Sequence, residues 1–290
     1  MNQKQLILIA GFGYIAKKLV EQLDEQAVCT LSRSKIIHKK EYHQHLIIDL
    51  DTNDEINLSI DKNLKISIIY LVPPNNTQDN DLRILNFIKA LAPVQNQISQ
   101  FILISTTAVY GHCKGNWVDE ESPVSLKLSK AKRRYYMEQA SEDFCKQNSI
   151  PLTILRVAGI YAQDKLPLNR LLQALPILNV SESPYSNRIH ADDLVSIIMA
   201  AMTEGHPGIY NCSDSSPSTM SEYFIQLAHA LNYPEPPQIS FEQAKKQLSP
   251  QMMNYLSESR RISNKKLLTN FKLELKYPSL TIFLNKNKLI

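Results

Sequence analysis

Cysteine is scarce in this chain of 290 residues. The four present, Cys29, Cys113, Cys145 and Cys212, show no C-x-x-C spacing and no histidine cluster beside them. That pattern excludes a disulfide framework and a cysteine-rich zinc site, and reads as free thiols of a reducing compartment. No apolar run approaches the roughly 20 residues of a membrane span. The apolar stretch Leu6 to Ala10 is broken at once by glycines, and no small-residue cleavage pattern follows, so it does not read as a signal peptide. Charge of one sign is also lacking. With 32 Lys+Arg against 28 Asp+Glu, the formal net charge is +4, too small to argue for a nucleic acid or a membrane surface as partner. Internal repeats are absent, and the one low-complexity stretch is the Asn/Lys-rich C-terminus. These absences lead us to expect a cytoplasmic protein with no metal site.

What is there is an ordinary globular composition, 43% apolar and 21% charged. The length suits one large α/β domain, or a domain with a substrate-binding appendage. The organising stretch is Leu6 to Leu19, an apolar strand running through Gly11-Phe12-Gly13-Tyr14-Ile15-Ala16 into a helical pattern with Ile15, Leu19 and Leu23 on one face. In a dinucleotide fingerprint the first glycine makes the turn and the second lets a pyrophosphate approach the backbone. The third site, here Ala16, must be small so that helix and strand pack closely. Phosphates then sit on the open N–H groups of the helix N-terminus, at Gly11, Gly13, Tyr14 and Ile15. A glycine turn between an unrelated strand and helix is the plainer reading.

Ala27 to Leu31 is the next strand, and Ser32-Arg33-Ser34 follows it. The position roughly twenty residues past the first glycine meets the adenine ribose, where an acid selects NAD and an arginine accommodates the 2′-phosphate of NADP. Arg33 therefore favours NADP over NAD, with Lys35, Lys39 and Lys40 adding charge unless this is an ordinary solvated loop. His45 to Ile48 is strand-like and ends in Asp49-Leu50-Asp51. Asp49 is placed to accept from the adenine amino group, and Asp51 equally well to cap a helix. Ile66 to Val72 is a buried strand stopped by Pro73-Pro74. The polar segment to Asn80 is a loop where the nicotinamide half of a cofactor would lie. Arg83 to Leu91 has helical spacing. Phe101 to Ser105 delivers Ser105-Thr106-Thr107-Ala108-Val109-Tyr110-Gly111 to the same sheet edge, where hydroxyls meet a substrate oxygen or cap their own turn.

Four ordered motifs, GFGYIA, STTAVYG, LRVAGIY and RIHADDL, span Leu6 to Leu194. Together they resemble the extended or atypical short-chain dehydrogenase/reductase superfamily, and within it the nucleoside-diphosphate-sugar epimerase-like NAD(P)-binding proteins. The resemblance implies a Rossmann-type doubly wound parallel sheet over 1–165 and a smaller C-terminal substrate-binding portion over 166–290, with 188–213 returning to the main sheet. It implies NAD(P) as cofactor, with Arg33 putting NADP before NAD, and a small-molecule substrate such as a sugar nucleotide. It also places Thr106 at the family's catalytic Ser/Thr, which polarises the substrate oxygen. The expected activity is that of an oxidoreductase or a sugar-nucleotide epimerase or dehydratase; the alternative is a non-catalytic NADP-binding or redox-sensing protein.

That alternative arises from one departure. The family's acid/base is a Tyr-x-x-x-Lys pair on the helix after this strand. With Glu138-Gln139 aligned to the Glu-Gln ending that motif, Lys130 stands at the tyrosine position and Arg134 at the lysine position. Arg134 suits the nicotinamide ribose or a substrate phosphate but is no general acid. Lys130 serves as one only if its pKa is strongly depressed. Tyr110 is the other stand-in, and a solvated basic helix face is the plain alternative. Tyr110 with Lys114, and Tyr161 with Lys165, match the spacing only in loops.

Further along, Ile150 to Val157 is a strand in which a buried Arg156 calls for a structural ion pair. Leu166 to Leu178 reads as helical. His190 is a candidate substrate contact, and Asp192 and Asp193 open a helix whose dipole they complement. Gly208 to Cys212 is a strand. Met220 to Leu231 is a helix with a capping box formed by Ser218 or Thr219 with Glu222. After a Pro234 to Pro237 linker, the chain reads as helical and basic, with Arg260, Arg261, Lys265 and Lys266 either binding a diphosphate or facing solvent.

Overall fold

The computed structural model describes residues 5–23, 26–36, 43–52, 56, 58, 60–75, 81–248, 252–253 and 256–287. Lys39, Lys40 and the 76–80 part of the loop after Pro74 lie outside them. The chain divides into two compact units. One comprises Met1–Val109, Leu126–Arg156 and Leu194–Tyr210; the other comprises Tyr110–Ser125, Val157–Asp193 and Asn211–Ile290.

The first unit is built on a seven-stranded sheet. Its strands are β1 (Gln5–Ala10), β2 (Ala27–Ser32), β3 (His43–Ile47), β4 (Lys65–Tyr70), β5 (Ile98–Thr106), β6 (Leu152–Val157) and β7 (Gly208–Cys212). The order is β7-β6-β5-β4-β1-β2-β3. β1 pairs in parallel with β2 and β4, β2 with β3, and β4 with β5. The chain winds outward from β1 to β3 and then returns to place β4 on β1's other side. In open parallel sheets such a reversal is where ligands bind, outside the strands' C-terminal ends. The near-continuous apolar sequences of β1 and β4 suit this layout, because helices cover both faces of a parallel sheet. Leu8, Ile9, Ile68 and Ile69 are fully buried.

Helix α1 (Tyr14–Gln22) places Ile15, Ala16 and Leu19 against the sheet, with Leu23 just beyond its end. Leu19 and Leu23 are fully buried, each stabilising the fold by about 1.5–3 kcal/mol. Helix α2 (Leu82–Leu91) starts at Asp81, whose carboxylate accepts from the Arg83 N–H. Helix α3 (Ser129–Gln147) packs Met137 and Phe144 into the core that holds Tyr70, Phe87 and Phe101. The Tyr70 and Phe87 rings lie 5.1 Å apart.

The second unit is assembled from short pieces. The expected helix over Leu166 to Leu178 is one turn, Leu168–Leu172, followed by a two-residue strand, Ile177–Leu178, that pairs with Gln238–Ile239 just past the prolines. The reason is local: Ala174 takes a left-handed φ of 46° and Pro176 has no N–H to continue the ladder. Leu168, Leu172 and Leu175 are consequently exposed. The capping box forms at Thr219, whose hydroxyl accepts from the Glu222 N–H while Glu222 accepts from Thr219. Arg260 and Arg261 are not helical, since Arg261–Ile262 is a strand beside Trp117–Val118, and the helix starts only at Lys265.

Candidate cofactor and substrate site

The glycine turn is built as its sequence demands. Gly11 has φ +91°, and a Cβ there would lie 3.0 Å from the Val72 nitrogen and 3.1 Å from the Leu71 carbonyl carbon. Only glycine takes that conformation and that closeness without strain. Its N–H donates to the Leu31 carbonyl at 2.9 Å, joining the turn to the end of β2. Gly13 caps α1 without a side-chain hydrogen bond, and a Cβ on it would meet nothing within 4 Å. A helix start with no side-chain cap is the kind of N-terminus at which phosphates bind. Ile15 is itself buried and anchors the helix, while Tyr14 is half-buried with the Lys18 ammonium over its ring.

Arg33, just past β2, has a side chain 64% exposed, with Nη1 3.4 Å from Asp51 Oδ2. Asp51 is already held by Arg83, whose Nε and Nη2 donate to its two oxygens at 2.7 Å each. These bonds push the Asp51 pKa below the usual carboxylate range. Asp51 thus braces Arg83 at the start of α2, where the sequence suggested a helix cap. An exposed ion pair such as Arg33–Asp51 is worth at most about 1 kcal/mol, so Arg33 is lightly held. Asp49 is exposed, and its Oδ1 accepts from the Asp51 N–H at 2.9 Å, making a turn of its own.

At the end of β5 successive side chains face opposite sides of the sheet. Ser105 is buried and donates to Glu138 Oε1 at 2.5 Å. Glu138 is also clasped by Arg156, with Nη2 to Oε2 at 2.7 Å and both side chains almost fully buried. This is the ion pair Arg156 called for, and it pins α3 to β5 and β6. Thr106 is half-buried, and its Oγ1 accepts from the Ala108 N–H at 3.3 Å, with the hydroxyl hydrogen left to donate elsewhere.

Lys130, Arg134 and Glu138 recur at helical spacing on α3, running from exposed through half-buried to buried. Arg134 Nη1 donates to the Ile104 carbonyl at 3.4 Å. Burial lowers the Arg134 pKa from its ordinary value, while Asp81, Tyr70 and Glu138 nearby oppose the shift. Arg134 is therefore a held cation at the β5 edge, and Lys130 a solvated residue at the helix start. The inward turn of Arg134 distinguishes it from the rest of the basic run.

Two candidates belong to the second unit. Tyr110 is 1% exposed and donates to Asn211 Oδ1 at 2.9 Å, so its hydroxyl is built into the core of that unit. His190 is 4% exposed, with the rings of Tyr277, Phe283 and Tyr161 at 4.1, 5.0 and 5.2 Å. Its Nδ1 accepts from the Asp192 N–H at 3.1 Å. Asp193 does more than complement a dipole: its oxygens accept from the N–H groups of Lys276 and Tyr277 at 2.7 and 3.0 Å.

Sequence reasoning overlooked Asp81, Arg83 and His45. The Asp51–Arg83 pair spans 32 positions and has no local signature. His45 opens the stretch expected as a strand, and its partners Thr30, Ser32 and Ser34 lie 11 to 15 positions away, with no local signature. Burial pushes the Cys29 and Cys145 thiols up to about 11 and about 12, which makes both unreactive. Among the described residues no group of His, Cys, Asp or Glu is placed to hold a metal, and no helix is long and apolar enough to cross a membrane.

The sheet order and the glycine turn leading into α1 define a Rossmann-type dinucleotide fold. The model of the NAD dependent epimerase/dehydratase family matches residues 7–213, and the chain belongs to that family. Among solved structures it is similar to a conserved protein of unknown function from Silicibacter pomeroyi, with a TM-score of 0.82, 23% identity and 98% of both chains covered. A dTDP-glucose 4,6-dehydratase from Bacillus anthracis, solved with NAD, has a TM-score of 0.72 and 14% identity, covering 98% of this chain and 97% of that one. The human epimerase family protein SDR39U1, solved with NADPH, has a TM-score of 0.70 and 16% identity, covering 97% of this chain and 98% of that one.

Proposed function

We propose that the protein binds NADP and uses it on a hydroxyl or carbonyl group of a small molecule, with a sugar nucleotide as the leading substrate class. The observation that carries the cofactor reading is the start of α1 at Gly13, which has no side-chain cap, together with a lightly held Arg33 past the end of β2. In this reading Gly11, Gly13, Tyr14 and Ile15 cradle the pyrophosphate, and Arg33 takes the 2′-phosphate in exchange for Asp51. Asp49 receives the adenine, and Arg134 the nicotinamide ribose. The cofactor supplies or accepts hydride. Thr106 orients the substrate oxygen, with its hydroxyl hydrogen as donor.

The chain's own acid/base is the open element of this reading. Lys130 is exposed. The Tyr110 hydroxyl is committed to Asn211, which leaves water as the simplest proton carrier. That arrangement also favours a second reading, a protein that senses the NADP redox state without hydride transfer. Two measurements separate the readings. Calorimetry should show NADPH binding more tightly than NADH, with Arg33→Ala weakening NADPH about tenfold or more, as loss of a charged hydrogen bond does; equal binding of both cofactors overturns the NADP assignment. Turnover screened over sugar nucleotides and carbonyl compounds should fall about a hundredfold in Thr106→Val, whereas redox-dependent binding with no turnover of any compound supports the sensor.

A further inference from the structure

The loop that meets the adenine ribose is held by a residue the proposed function does not use. His45, in β3, has both ring nitrogens engaged. Its Nε2 is 2.9 Å from the Ser34 carbonyl oxygen and 3.3 Å from Ser32 Oγ, and its Nδ1 is 2.8 Å from Thr30 Oγ1. A carbonyl oxygen only accepts, so Nε2 carries a hydrogen and the imidazole is a donor toward Ser34. Ser32 Oγ also donates to the Ser34 carbonyl, at 3.1 Å. The two serines flanking Arg33 are thereby closed into one triangle with the ring. Phe12, between the two glycines, lies with its ring 6.1 Å from the imidazole. His45 thus stands against both the ribose loop and the pyrophosphate turn.

We propose that His45 is a positioning residue for cofactor choice: it locks Ser32-Arg33-Ser34 in the conformation that presents Arg33 to a 2′-phosphate. This rests on the NADP reading above. An exposed arginine on an unbraced loop loses loop and side-chain freedom on binding, and a loop already fixed at both neighbours removes much of that cost. Because the 2′-phosphate is what Arg33 contacts, the benefit falls on NADPH and largely bypasses NADH. A residue that merely supported β3 would affect both cofactors alike.

The test is the ratio of NADPH to NADH dissociation constants, at one ionic strength, for the wild type and for His45→Ala, His45→Gln and Thr30→Val. His45→Ala should weaken NADPH about tenfold and NADH by no more than about twofold. His45→Gln, whose amide N–H can reach the Ser34 carbonyl, should restore most of the preference. Thr30→Val frees Nδ1 without touching the loop and should raise the ratio in the same direction, deciding the matter if His45→Ala fails to fold. Equal losses for both cofactors, or no loss, overturn the role of His45 while leaving the NADP assignment intact. No NADPH preference in the wild type, together with an inert Arg33→Ala, overturns both.

Discussion

Asp214 shows how far a single residue's surroundings alter its chemistry. It is 3% exposed, and burial pushes its carboxyl up to about 7, against the opposing pull of Arg188 and of the Ser216 N–H at 3.2 Å. An unfolded aspartate titrates near 4. Between those two values the folded state holds a proton that the unfolded state has released, so stability falls as pH rises through this window and levels off above about 7. Asp214→Asn keeps an acceptor for Ser216 and removes the titration. Its stability relative to wild type should grow from pH 4 to pH 7, reaching the order of a few kcal/mol; denaturant melts across that range check it. Parallel curves would show that Asp214 ionises as a solvated group does.

At the scale of elements, α3 is positioned by charge as well as by packing. Its polar face carries Glu138 into the core, where Ser105 and Arg156 meet it. Removing one partner of such a pair leaves a buried charge alone. Glu138→Ala should therefore destabilise by about 3–5 kcal/mol, whereas Glu138→Ala with Arg156→Met should cost less than the sum of the two single changes. Urea titration of the cycle gives the coupling, and strict additivity would show that the pair does not act as a unit. Because Arg134 precedes Glu138 by one turn, the same anchor sets how deeply Arg134 reaches toward the β5 edge.

For the whole molecule, a ligand that binds only the folded state raises its stability by mass action. NADPH at one hundred times its dissociation constant should stabilise by about 2.7 kcal/mol. A thermal melt with NADPH, NADH and neither reads this directly. An upward shift with NADPH that is lost in Arg33→Ala is the expected result, and no shift with either cofactor at saturating concentration would contradict the proposed function as a whole. Since Gly11 cannot become alanine without meeting Leu71 and Val72, Gly11→Ala should melt lower than wild type and lose the NADPH shift.

The doubly wound sheet was legible only through the resemblance of four ordered motifs. The sequence by itself determined the first strand, the glycine turn and α1, because these depend on short-range periodicity and on the backbone freedom of Gly11. It also called for a partner to Arg156, since an apolar strand leaves an arginine nowhere to be solvated, and it marked the capping box at Thr219 and Glu222. Leu166 to Leu178 misled it, because the apolar spacing was helical while Pro176 and the left-handed Ala174 interrupt the chain. What only the tertiary structure decided are contacts between residues far apart in the chain. Arg83 on Asp51, Asn211 beneath Tyr110, the aromatic box around His190 and the grip of His45 on the loop of Arg33 are all of this kind. A hydrogen bond depends on where two chain segments meet in space, and local pattern carries no record of that meeting.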